Sequence, residues 1–148
     1  MKDIRSRLIS SLKSGFCVPQ IARLAKELKE PSTTLHYNIK QLEKESIKSY
    51  KAVFDYKKID EGLCNYVLIT LSPDEYTNPE KIAYELAKFY QIESVDIITG
   101  DWEMIIKVRS KDNDDFYQFV KTVLSRKGIL KTKSLMSLKQ VKSEFVNM

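Results

Sequence analysis

In the amino-terminal third of the chain, apolar residues recur at helical spacing. Ile4, Leu8 and Leu12 form one stripe, Ile21, Leu24, Ala25 and Leu28 a second, and Leu35, Ile39 and Leu42 a third. This period predicts three short amphipathic helices around one small core. The first starts near Asp3, an acceptable N-cap, and stops at Gly15. The other two lie within Val18 to Ile47 and are separated by Lys29-Glu30-Pro31, a break without the glycine such turns often carry. Pro31 suits the first turn of the third helix, where a missing N–H costs nothing.

Two helices joined by a tight break form a helix-turn-helix, and residues 1–48 are assigned to it. Opposite its apolar stripe, the third helix carries Thr33, His36, Tyr37, Lys40 and Lys44; Ser32, Thr34 and Lys48 add hydroxyls and a cation at its ends. Such a helix fits a major groove of double-stranded DNA, its hydrogen-bonding groups reading base edges or holding phosphates. His36, the only histidine, is read as a base contact, a phosphate contact or a plain surface residue. Tyr37 either touches the DNA backbone or packs beside the first helix.

After Ile47 the period changes to alternation. Tyr50, Ala52 and Phe54 alternate with Lys51, Val53 and Asp55, which predicts a connecting strand over Ser49–Asp55. Polar Tyr56–Gly62 completes a linking segment over residues 49–62, with the domain boundary near residue 60. Residues 63–148 then read β–α–β twice. Strands are expected at Cys64–Leu71, Glu93–Thr99, Trp102–Arg109 and Leu130–Val141, and helices at Pro79–Tyr90 and Asn113–Leu124. The fold class is therefore α+β, a βαββαβ ferredoxin-like sandwich with both helices on one sheet face. The other face must meet solvent, a ligand or a second copy, and self-pairing is the economical answer.

Charge sharpens this division. Residues 2 to 51 hold 11 Lys+Arg against 5 Asp+Glu, a net of +6, which leaves 14 against 15, a net of −1, for the rest. A basic head favours phosphate contacts through counterion release, although a lysine-rich solvated surface has the same composition. The chain's 148 residues, 43% hydrophobic and 30% charged, fit a folded chain of one or two small domains. Met-Lys-Asp-Ile-Arg-Ser-Arg lacks a signal peptide's apolar core, and no run approaches the roughly 18 residues that span a membrane, so a cytoplasmic protein is expected. Cys17 and Cys64 fall in different modules and lack metal-ligand spacing, which makes them plain thiols. No nucleophile elbow, phosphate loop or HExxH motif is present, so no enzyme and no cofactor are expected.

In order and spacing, these segments resemble the Lrp/AsnC, or feast/famine, family of prokaryotic and archaeal transcriptional regulators. The resemblance is carried by Thr33 through Glu43 with Ile47-Lys48-Ser49-Tyr50, by Gly100-Asp101-Trp102-Glu103 leading into Met104 through Val108, and by Gly128-Ile129 through Lys131-Thr132 to Leu138-Lys139. It implies a winged-type helix-turn-helix followed by a RAM-type βαββαβ module that mediates homodimers, and tetramers or octamers built from them. It also implies a small-molecule effector, often an amino acid, held near Gly100, Asp101, Trp102, Glu103 and Ser134. From the residues alone, Gly100-Asp101 reads equally well as a turn between neighbouring strands. Departures from the family pattern are Asn38 for arginine, Ser46 for glycine, Glu103 for aspartate and Ser134 for threonine.

Three other readings compete with a sequence-specific, effector-responsive regulator. One is an architectural DNA-binding protein, and another a small-molecule sensor that binds no DNA. The third is an effector-independent regulator controlled by modification. For that one Tyr84, off the stripe of Ile82, Ala83, Leu86 and Ala87 and flanked by Lys81 and Lys88, is a candidate hydroxyl, since added negative charge opposes DNA docking.

Overall fold

A computed structural model describes residues 3–143 and 146–147. The chain divides into two compact units, Met1–Val53 and Phe54–Met148. No helix among the described residues is long and apolar enough to cross a membrane.

The first unit contains α1 (Arg5–Lys13), α2 (Ile21–Leu28) and α3 (Ser32–Glu45). Asp3 accepts a hydrogen bond from the Arg5 N–H at 3.0 Å, just ahead of α1. The buried edge of α1 differs from the one its spacing suggests. Ile4 and Leu8 are about half exposed, at 49% and 50%, whereas Ile9 and Leu12 are the partly covered pair. The inward face is thus rotated along the i, i+3 direction. Leu35 is the one fully buried apolar residue among those described in this unit, and Leu42, expected inside, is 48% exposed. So short a three-helix unit has little interior to offer.

At the turn between α2 and α3, Lys29 takes the left-handed conformation usually filled by glycine, with φ 55°. Its N–H and that of Glu30 both reach the Ala25 carbonyl, which closes α2. Pro31, with ψ 142°, caps α3 from outside, and its carbonyl accepts from the Leu35 N–H at 3.1 Å. Gly15, at φ 95°, ends α1 where a Cβ would stand 3.2 Å from the Tyr50 carbonyl.

Ser49–Asp55 takes no regular secondary structure, which corrects the expected connecting strand. Alternation supplies the faces of a strand, but a strand also needs a ladder partner, and one chain does not provide it. The unit boundary falls at Val53/Phe54 rather than near residue 60. A single 3-10 turn, Tyr56–Ile59, belongs to the second unit, where the Arg109 guanidinium lies 3.8 Å from the Tyr56 ring centroid.

The second unit follows the βαββαβ order, with β1 (Leu63–Leu71), α4 (Pro79–Leu86), β2 (Ile92–Ile97), β3 (Met104–Ser110), α5 (Asn113–Phe119) and β4 (Ile129–Met136). The strands form an antiparallel sheet in the order β2-β3-β1-β4, and the two-residue strands β5 (Lys142–Ser143) and β6 (Val146–Asn147) pair separately. Val67, Ile69 and Leu71 of β1 pack with Met104, Ile106 and Val108 of β3. Ile82 and Leu86 of α4 and Phe119 of α5 cover them from one side. Pro79 opens α4, and Asp112 caps α5 by accepting from the Asp115 N–H at 2.9 Å. The expected helix to Tyr90 ends at Leu86, because the chain tightens into turns that bring Phe89 back against the core. Beyond α5 the backbone widens into one π turn, Val120–Leu124, which keeps Val123 and Leu124 buried.

Candidate functional site

The polar edge of α3 is laid out as its period requires. Ser32, Thr33, Thr34, His36, Tyr37, Lys40 and Lys44 are all exposed, as is Lys48 just beyond the helix, while Leu35 anchors the opposite edge. Tyr37 is 65% exposed and so does not pack beneath α1. Asn38 is exposed and folds back along its own helix, its Nδ2 donating to the Thr34 carbonyl at 2.8 Å. At the exit the Leu42 carbonyl accepts from the N–H groups of Ser46 and Ile47, both at 2.8 Å, and from the Ser46 hydroxyl. The Tyr50 hydroxyl donates to Glu43 Oε1 at 3.1 Å. Desolvation, helped by this bond and the Glu43 charge, pushes the Tyr50 pKa up, so it stays a neutral donor.

The hairpin joining β2 to β3 carries the expected effector residues. Gly100, at φ 115°, has no atom within 4 Å of where a Cβ would stand, so its backbone is open to approach. Asp101 is exposed and Trp102 half-buried. Lys131 Nζ of β4 lies 5.5 Å from the Trp102 ring centroid. Glu103 is occupied structurally, since its Oε2 accepts from the Leu71 N–H at 3.0 Å and its own N–H donates to the Ile69 carbonyl at 3.1 Å. It closes the end of β1 instead of pointing a carboxylate outward. Ser134 is paired with Val67 and shares the helix side of the sheet, four positions along β1 from Leu71. One chain thus brings Gly100, Asp101, Trp102 and Glu103 together and leaves Ser134 apart from them.

Sequence reasoning missed a charged cluster on the sheet's free face. Glu93 accepts from Lys107 Nζ at 2.9 Å and from Arg109 Nε at 2.5 Å, and Arg109 Nη2 donates to Gln140 Oε1 at 2.6 Å. Lys107 and Arg109 are buried at 8% and 6% exposure. Burial pulls the Glu93 pKa up, but the hydrogen bonds and charges of the two cations outweigh it and hold the carboxyl below its ordinary value. Cys64 pairs with Arg109 across the β1–β3 ladder, and burial raises its thiol pKa despite the cations. The available signal was the i, i+2 spacing of Ile105, Lys107 and Arg109, which places two cations beside an apolar residue on one strand face. Tyr84 is 73% exposed on the outer side of α4.

Residues 64–146 match the Lrp/AsnC ligand binding domain. The chain is similar to an uncharacterised HTH-type transcriptional regulator of Pyrococcus abyssi, 33% identical over 146 residues with 97% of each chain covered. Its fold is similar to that of a Neisseria meningitidis transcriptional regulator solved with L-methionine, at TM-score 0.72 and 19% identity over 97% of this chain and 94% of that one. It is likewise similar to a feast or famine regulatory protein of M. tuberculosis complexed with L-methionine, at TM-score 0.72 and 17% identity over 84% of each chain. The helical head, the βαββαβ module and the match across most of that module lead to one assignment: the chain belongs to the Lrp/AsnC family of transcriptional regulators.

Proposed function

We propose that this protein is a sequence-specific regulator that binds double-stranded DNA as a homodimer or a higher symmetric assembly and responds to an amino acid, without catalysis. The observation that carries the DNA reading is α3, which buries Leu35 and leaves Thr33, His36, Lys40 and Lys44 exposed on its other edge. Thr33, His36 and Lys40 project toward base edges. Ser32, Thr34, Tyr37, Lys44 and Lys48 hold phosphates. Two heads related by a two-fold axis then meet half-sites about one helical turn apart.

The dimer reading rests on the free sheet face. Tyr66, Leu68 and Ile105 are only half-buried there, and Leu135 is 45% exposed. A second copy of the sheet would cover this apolar band. The effector reading rests on the open backbone at Gly100 beside Asp101, and the methionine complexes of the two similar regulators support an amino acid as the ligand.

The test is to select bound fragments from random duplex DNA and titrate the selected and scrambled duplexes at several salt concentrations. A preference of about a thousandfold or more at moderate salt is expected. Equal affinity for both duplexes would make the protein architectural, and binding to neither would remove the DNA reading.

A further inference from the structure

We propose that Arg109 is a positioning residue for DNA binding: by stacking on Tyr56 it pins the chain to the sheet just after the boundary between the two units, and so sets the reach of the DNA-binding head. This rests on the paired-head reading above. The boundary falls at Val53/Phe54, and Tyr56 opens the 3-10 turn that follows it. The Arg109 guanidinium lies 3.8 Å from the Tyr56 ring centroid, and the residue is 6% exposed, with its Nε bound to Glu93 and its Nη2 to Gln140. An acid on β2 and an amide beyond β4 thus fix the plane of the guanidinium by its edge. Its face is left to receive the aromatic ring.

The other end of the segment is drawn in as well. Asp60 takes the left-handed conformation, φ 57°, and a Cβ at Gly62 would stand 3.1 Å from Lys57 Cγ, so the chain doubles back tightly before β1 begins at Leu63. A 3-10 turn of four residues does not persist without such anchors. With the stack lost, Phe54–Gly62 joins the tether of the head and adds up to about 30 Å of reach. A longer tether lowers the effective concentration of the second head at its half-site and lets it accept half-sites at other separations. A lysine at position 109 keeps a charge for Glu93 but has neither the planar face for Tyr56 nor the second arm for Gln140. A cluster that served only the sheet would change stability and leave the half-site spacing alone.

The experiment uses the full chain as wild type, Tyr56→Phe, Tyr56→Leu and Arg109→Lys. Limited trypsin digestion follows cleavage after Lys57 and Lys58, both exposed. Titrations compare the selected duplex, the same half-sites moved apart by half a helical turn, roughly 5 base pairs, and a single half-site. Wild type and Tyr56→Phe, which keeps the ring, should bind the selected spacing at least about tenfold more tightly than the shifted one. Tyr56→Leu and Arg109→Lys should be cut at least about tenfold faster after Lys57 and Lys58 and should lose most of that preference. Their affinity for the single half-site should equal that of the wild type, which separates a change of reach from damage to the head. The two disrupting variants alter opposite sides of the stack, so either one that folds is decisive. A folded Tyr56→Leu or Arg109→Lys protein that keeps the wild-type spacing preference, or a Tyr56→Phe protein that loses it, would overturn the assignment. A wild type that is sequence-specific but indifferent to spacing would overturn it too, with the DNA reading left standing. A wild type that binds none of the duplexes would remove the DNA reading and this inference together.

Discussion

Lys29 is a residue at which local geometry and side-chain type disagree. A left-handed backbone brings a Cβ close to the following carbonyl, at a cost of roughly 1–2 kcal/mol that glycine escapes. Glycine in turn loses about 0.5–1 kcal/mol more chain entropy on folding. Lys29→Gly should therefore stabilise the protein by up to about 1 kcal/mol, read as a rise in the thermal midpoint, and a fall would show that the lysine side chain holds the turn by other means. Glu93 presents the opposite case, a carboxylate its surroundings require. Its side chain is 14% exposed between Lys107 and Arg109, so Glu93→Gln leaves two buried cations without a counter-charge, at a cost of about 3–5 kcal/mol. The pH dependence has a definite sign. A carboxyl whose folded pKa is depressed contributes stability that is complete above its unfolded value of about 4.3 and is lost as pH falls through the lower folded value. Denaturant melts of wild type and Glu93→Gln should converge on acidification below about pH 4; a constant gap would mean that the carboxyl is not the titrating group.

At the scale of elements, α3 offers two kinds of side chain that one measurement separates. His36→Ala should relax preference at particular base pairs and cost roughly 1–3 kcal/mol on the best duplex, with little effect on scrambled DNA. Lys44→Ala and Lys48→Ala should weaken all duplexes alike, and each should flatten the plot of log affinity against log salt by about one unit. A His36→Ala protein with unchanged sequence preference would remove the base contact. The elements themselves were readable wherever burial follows one period. Leu35 and Ile39 marked α3, and Val67, Ile69 and Leu71 marked the core side of β1. The reading failed where an element's state depends on groups distant in sequence. Ser49–Asp55 has strand-like alternation without a partner ladder, and α4 ends early because Phe89 packs back into the core. The polar residues Lys107 and Arg109 resemble the solvent side of a strand until Glu93, Tyr56 and Gln140 close over them. At the hairpin, Gly100, Asp101 and Trp102 are neighbours in sequence and are exposed or half-buried. The sequence could not reveal that Glu103 is consumed by the Leu71 N–H or that Lys131 reaches Trp102, because both contacts cross the sheet.

At the scale of the whole molecule, the proposed pairing through the free sheet face is what would bring two heads to one site. Its central band of Tyr66, Leu68, Ile105 and Leu135 is flanked by Lys131 and Lys133 on β4 and by Asp96 on β2, an apolar strip between opposite charges. A stable interface needs about 800 Å² from each partner, and apolar burial at about 25 cal/mol per Å² must exceed the translational, rotational and ordering costs of association. Leu68→Asp would place a carboxylate in the middle of that band, beside Lys133 across the β1–β4 ladder, and pairing would have to strip water from both charges, so the full chain should shift from dimers or their multiples to monomers. Light scattering at micromolar protein gives the mass directly. A wild type that is monomeric and folded, or a Leu68→Asp variant of unchanged mass, would place the dimer surface elsewhere. The coupling to function follows from symmetry. A monomer engages a single half-site, so Leu68→Asp should lose most of its preference for a palindromic duplex while keeping the weak, salt-sensitive affinity of one basic head. Retention of full preference by a confirmed monomer would show that one α3 reads the whole site.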